Sequence, residues 1–125
     1  MSSAQSHKKI LVVDDSPAEL KLLTQLLEHE GYQAIGVDDP TKIEQTIDAD
    51  RPGLILLDVV MPVRNGFEAC RELKASAEYG AIPVIIVTTK ATQSDRHWGE
   101  LQGANGYVFK PFRREDLMRA VRRFA

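Results

Sequence analysis

A single cysteine, Cys70, leaves this chain without an internal disulfide. A lone thiol fits a reducing compartment, and Cys70 falls in a helical pattern where it reads as a small apolar packing residue. No apolar run approaches the about 18 residues of a membrane span. Met1–His7 is small and polar, with no apolar stretch behind a basic region, so it reads as a frayed tail rather than a signal peptide. An excess of charge is also missing. The 16 basic and 18 acidic residues leave a net charge of −2, and their mixing carries no global signature for nucleic acid or anionic lipid. There is no internal repeat and no low-complexity segment. These absences set the expectation of a cytoplasmic protein with no membrane insertion and no direct nucleic-acid contact.

What is present is apolar material in short blocks. Hydrophobic residues make up 43% of the 125, enough for one core, since a chain of this size buries roughly two-thirds of its unfolded surface. The expected organisation is a disordered tail over 1–7 and one domain over 8–125, with no effector domain. The most informative block is Leu54-Ile55-Leu56-Leu57. An unbroken apolar run this short, without helical spacing, reads as a strand buried on both faces of a parallel sheet. It stops at Asp58. An ionised carboxylate is costly to bury without partners, so Asp58 is expected where the strand emerges from the core.

The rest of the chain repeats this grammar. Lys8–Val13 is a β-branched-rich run ending in Asp14-Asp15, and Ser16-Pro17-Ala18-Glu19 has the form of a capping box with proline at the first helical position. The helix that follows places Leu20, Leu23 and Leu27 on one face and stops at Gly31. Gln33–Val37 is a weaker strand, and Asp39-Pro40 opens a second helix through about Ile47. Phe67, Cys70 and Leu73 mark a third helix after the turn Val63–Gly66. Val84–Val87 is a second doubly buried strand, ending in Thr88. Thr92–Gln102 is the least amphipathic segment, with Trp98 and Leu101 as its large apolar groups; Trp98 fits either partial packing or partner contact. Asn105–Phe109 is a fifth strand ending in Lys110-Pro111, and a last helix from about Arg113 aligns Leu117, Val121 and Phe124. Five alternations of strand and helix, joined by right-handed crossovers, give an α/β doubly wound sandwich with a five-stranded parallel sheet.

In such a sheet every strand ends on the same edge, where ligands bind. That edge collects Asp14, Asp15, Asp58, Thr88 and Lys110. Each alone also fits a turn, a loop hydroxyl or a solvated lysine; together they form a chemistry. Clustered carboxylates repel one another and raise each other's pKa. A hard divalent cation relieves that repulsion, and an oxygen-only site suits Mg2+. The Val60 carbonyl, before the turn that Met61-Pro62 implies, is a further candidate oxygen. Lys110 and Thr88 suit the oxygens of a phosphoryl group. A carboxylate nucleophile so flanked can form an aspartyl phosphate.

These motifs, Val12-Val13-Asp14-Asp15, Leu57-Asp58-Val59-Val60-Met61-Pro62, Thr88 and Lys110-Pro111-Phe112, closely resemble the response-regulator receiver family. The resemblance covers Lys9 to the C-terminus. It implies the flavodoxin-like or CheY-like strand order 2-1-3-4-5 with five helices, and a stand-alone two-component response regulator. It further implies that Asp58 accepts a phosphoryl group from a sensor histidine kinase or phosphotransfer protein. Asp14, Asp15, Asp58 and the Val60 carbonyl would hold Mg2+, and Thr88 and Lys110 would contact the phosphoryl oxygens. Tyr107 would be the aromatic switch, with a cis Lys110–Pro111 bond. A downstream protein target would read the face formed by the fourth helix, fifth strand and last helix. Within the family, Asp14–Glu19, Asn65-Gly66-Phe67, and Val87-Thr88-Thr89-Lys90 followed by Asp95, Trp98-Gly99 and Gln102-Gly103-Ala104 look like the PilH type of type IV pilus twitching-motility systems.

Val60 and Lys90 flank the phosphoryl site, and an apolar Val60 cannot position a water, so slow autodephosphorylation is expected. Alternatives are a phosphate sink, a receiver in another phosphorelay, or an aspartyl-nucleophile phosphatase. The last lacks its usual second Asp, since Val60 stands in that place.

Overall fold

The computed structural model describes residues 8–125; the expected tail, Met1–His7, lies outside the described residues. Strands β1 (Lys9–Val13), β2 (Gln33–Val37), β3 (Leu54–Leu57), β4 (Val84–Thr88) and β5 (Gly106–Phe109) form one sheet. Its order is β2-β1-β3-β4-β5, and every pair is parallel. The helices are α1 (Pro17–His29), α2 (Ile43–Asp50), α3 (Gly66–Ala75), α4 (Gln93–Leu101) and α5 (Arg114–Phe124).

The period-two geometry of a strand divides the apolar runs between two cores. Ile10, Val12, Leu54, Leu56, Ile85 and Val87 face one layer and meet Leu23 and Leu27 of α1 and Leu117, Met118 and Val121 of α5. Leu11, Val13, Ile55, Leu57 and Val84 face the other and meet Ile43 and Ile47 of α2 and Ala69, Cys70 and Leu73 of α3. All four residues of β3 and all five of β4 are buried. Each large aliphatic side chain so placed contributes roughly 1.5–3 kcal/mol of transfer free energy. The half-exposed β2 is an edge strand, which explains its weaker apolar pattern.

Local chemistry refines three of the expected boundaries. Ser16 caps α1 by accepting from the Glu19 N–H (3.4 Å), but the reciprocal half of the capping box is not made. The Ser16 N–H donates instead to Asp14 Oδ1 (3.0 Å). The second helix opens as a 3-10 turn over Pro40–Lys42, because Asp39 Oδ1 accepts both the N–H and the hydroxyl of Thr41 and tightens that turn. The α-helix proper begins at Ile43 and runs on to Asp50. Asn65, expected within a turn, is the N-cap of α3 and accepts from the Glu68 N–H at 2.9 Å.

Helix α4 is different in kind. Its start is well capped, with Thr92 and Asp95 making a full capping box (3.0 and 3.2 Å). Yet Gly99 is its one buried residue, and Trp98 and Leu101 are 49% and 63% exposed. A capped helix with so little buried surface is held to the sheet by few contacts.

Candidate functional site

Parallel pairing carries the ends of β1, β3, β4 and β5 to one edge. The Asp58 N–H donates to the Val13 carbonyl (3.0 Å), and the Asp14 N–H donates to the Val37 carbonyl (3.1 Å). Both acids are therefore seated on rigid strand ends. One carboxylate oxygen from each of Asp14, Asp15 and Asp58 lies within 4.8 Å of the others. Asp14 is 1% and Asp58 9% exposed, whereas Asp15 is on the surface at the mouth of the site.

Lys110 reaches into this cluster from the end of β5, with its side chain 8% exposed. Its Nζ donates to Asp14 Oδ2 at 2.7 Å and stands 3.8 Å from Asp58 Oδ2. The Lys110–Pro111 peptide bond is cis. Asp58 Oδ1 accepts from the Val59 N–H (2.7 Å) and the Val60 N–H (3.3 Å), which leaves Oδ2 toward the lysine. Burial pushes the Asp58 carboxyl above its ordinary pKa; the Lys110 charge opposes the shift and the Asp14 charge adds to it. One ammonium among three carboxylates leaves net negative charge in a half-enclosed oxygen cluster. That donor set fits a hard divalent cation.

Thr88 ends β4, fully buried, and its Oγ1 accepts from the Lys90 N–H (3.3 Å). Val60 is 52% exposed, so the position beside Asp58 presents an apolar side chain to solvent. Tyr107 does not join the cluster. Its ring packs edge-on against Phe109 at 5.5 Å, and its hydroxyl donates to the Lys90 carbonyl (2.7 Å). Burial, with the Asp95 and Asp58 charges behind it, pushes the phenol up to about 12.

Two side chains, one at this edge and one on the loop after Asp58, make contacts that leave no signal in the sequence. Glu19 reads as a capping residue, yet its carboxylate stands 3.9 Å from Lys110 Nζ. Arg64 reads as a turn residue, yet its guanidinium binds the carboxylates of Glu44 and Glu72 and the Pro40 carbonyl. Partners eight, 20 and 24 residues away leave no local pattern to find.

Comparison with known proteins places this architecture. The model of the response regulator receiver domain matches residues 10–122. Protein PilH of Pseudomonas aeruginosa is 43% identical over 113 residues, covering 90% of this chain and 93% of PilH. The DNA-binding response regulator MtrA of Mycolicibacterium smegmatis is 36% identical over 93% of this chain, which spans 50% of that longer protein. Among solved structures, Vibrio cholerae chemotaxis protein CheY4 superposes with a TM-score of 0.87 at 28% identity, covering 95% of this chain and 99% of CheY4. The receiver domain of sensor histidine kinase PA1611 from P. aeruginosa, solved with a magnesium ion coordinated in its active-site cleft, gives 0.85 at 32% identity. There the match covers 94% of this chain and 97% of the other. No helix among the described residues is long and apolar enough to cross a membrane. With the strand order, the acidic edge and these matches in agreement, the chain belongs to the response regulator receiver domain family.

Proposed function

We propose that this protein is a phosphoacceptor switch in which Asp58 receives a phosphoryl group from a phosphohistidine on a sensor histidine kinase or phosphotransfer protein. The observation that carries the reading is Lys110 Nζ lying between Asp14 (2.7 Å) and Asp58 (3.8 Å) inside a three-carboxylate cluster. An Asp58 carboxylate oxygen attacks phosphorus; the O–P bond forms as the P–N bond to the imidazole breaks, and the histidine nitrogen takes up a proton. Asp14, Asp15, Asp58 and the Val60 carbonyl are the residues that would hold Mg2+, whose charge offsets that of the incoming phosphoryl oxygens. Lys110 and the Thr88 hydroxyl bind the peripheral oxygens of the transferred group. Backbone N–H donors from Val59 and Val60 already hold Asp58 Oδ1, so the residue needs little reorientation.

The readout follows from how weakly the neighbouring elements are held. Thr88 turning toward the phosphoryl group releases the Lys90 segment, Tyr107 follows, and the α4–β5–α5 face changes for a downstream protein partner. The likeness to PilH supports a place in a chemotaxis-like system for type IV pilus twitching motility. The exposed Val60 side chain offers attacking water no hydrogen-bonding group, which supports slow autodephosphorylation.

Incubation with Mg2+ and acetyl phosphate, followed by intact-mass analysis, tests the reading. One phosphoryl mass is expected on the wild type and none on Asp58→Asn. Labelling that survives in Asp58→Asn refutes it.

A further inference from the structure

The segment between Asp58 and α3 is built in an unusual way. The Arg64 N–H donates to the Pro62 carbonyl at 2.7 Å, closing a tight three-residue turn around Val63. Val63 has φ of 71° and is 90% exposed. A β-branched residue in the left-handed region is a genuine outlier, and a γ-turn of this hand is rare and strained. Such strain persists only where the surroundings over-determine it.

The Arg64 side chain supplies part of those surroundings. Its Nη1 and Nη2 grip both oxygens of Glu44 (2.9 and 2.6 Å), Nε donates to Glu72 Oε1 (3.0 Å), and Nη1 also reaches the Pro40 carbonyl (2.9 Å). The side chain is 14% exposed, so the fork is largely removed from water. One guanidinium thus ties the strained turn to α2, to α3 and to the 3-10 turn before α2. At its other end the segment is pinned by the Gly66 N–H on the Val59 carbonyl (2.9 Å). Between these two anchors lies Val60.

We propose that Arg64 is a positioning residue for the cation site: its clamp holds the strained Val63 turn and thereby presets the Val60 carbonyl and the Asp58-binding N–H groups. This inference rests on the proposed Mg2+ site and adds a residue to it. The guanidinium touches neither metal nor phosphoryl group. It acts through backbone geometry, and its planar fork is what makes the three-way grip possible, so a lysine cannot replace it.

The test is titration calorimetry with MgCl2 on the wild type, Arg64→Met, Arg64→Lys, Arg64→Met/Val63→Gly and Asp14→Asn, each checked for folding by circular dichroism. Arg64→Met and Arg64→Lys are expected to weaken Mg2+ binding by about tenfold, the low end for loss of an outer-shell support. Glycine tolerates the φ of residue 63 without strain, so the Val63→Gly double variant is expected to recover most of that affinity with the clamp still absent. A role confined to stability would lower the melting temperature and leave affinity untouched. Affinity within twofold of wild type in folded Arg64→Met overturns the inference, as does a double variant no tighter than Arg64→Met. If the wild type binds no Mg2+, or Asp14→Asn binds as tightly, the metal reading itself fails and the inference falls with it.

Discussion

On one side of Asp58 the chain from Val59 to Gly66 is bolted down: both ends are hydrogen-bonded, Arg64 grips three partners, and Met61 is buried beneath it. On the other side, Thr89 to Thr92 is exposed throughout and tethered by the Lys90 N–H on Thr88 and the Tyr107 hydroxyl on the Lys90 carbonyl. The helices behind the two loops repeat the contrast. Gly66, Ala69, Cys70 and Leu73 of α3 are buried, against Gly99 alone in α4. A switch needs both kinds of wall, since a ligand oxygen must be held still while the reporting segment must cross between states at small cost. The asymmetry around one carboxylate therefore separates the part that would bind from the part that would respond.

The contrast can be broken most severely at Gly66. A Cβ there would lie 2.1 Å from the Asp58 carbonyl oxygen and 2.7 Å from Val59 Cα, both backbone atoms with nowhere to move. Gly66→Ala is expected to cost about 3 kcal/mol or more, above the usual range for overpacking, in urea denaturation.

Removing the clamp comes next. Arg64→Met is expected to lose about 1–2 kcal/mol, since a bidentate pair with backbone support exceeds an ordinary surface pair. The effect should depend on pH. The Arg64 fork holds the Glu44 carboxyl below its ordinary 4.5, so this stabilisation is complete above the unfolded value and fades as pH falls through the lower folded value. Urea melts between about pH 3 and 6 should show wild type and variant converging at the acid end.

On the loosely held side the effects should be smaller. Tyr107→Phe removes one exposed hydrogen bond, expected to cost about 0.5–1 kcal/mol, and should hasten amide hydrogen exchange around Lys90 more than anywhere in α3.

Gly99→Ala sharpens the comparison with the least change in stability. Its Cβ would meet the Tyr107 ring at 2.9 Å and Ile86 Cδ1 at 3.1 Å, while alanine gains up to about 1 kcal/mol of helix propensity. These oppose each other, so a net change within about 1 kcal/mol is expected. The Tyr107 ring resonances should shift all the same. An alanine here that melts like Gly66→Ala would show α4 to be as firmly seated as α3, and the asymmetry would be lost.

Much of this is legible in the sequence. The apolar runs of β3 and β4 announced strands buried on both faces, and the carboxylate, hydroxyl and lysine that end the strands announced a shared edge. Boundaries slipped where side chains competed for backbone groups, as Asp39 does in turning the start of the second helix into a 3-10 turn. Glu19 satisfied a capping pattern in sequence, and only its approach to Lys110 revealed a second relationship.

What the sequence determined by itself is the set of elements, their alternation and the identity of the edge residues, because periodicity and strand ends are local properties of the chain. What only the tertiary structure decided is which groups share charge and which loops are held. Lys110 meets Asp14 across 96 positions and Arg64 meets Glu44 across 20. Pairings at such distances leave no periodic trace, since they arise from the crossovers that bring separate elements side by side. The same holds for strain: Val63 looks like any apolar turn residue until the grip on its neighbour shows how an unfavourable φ is kept.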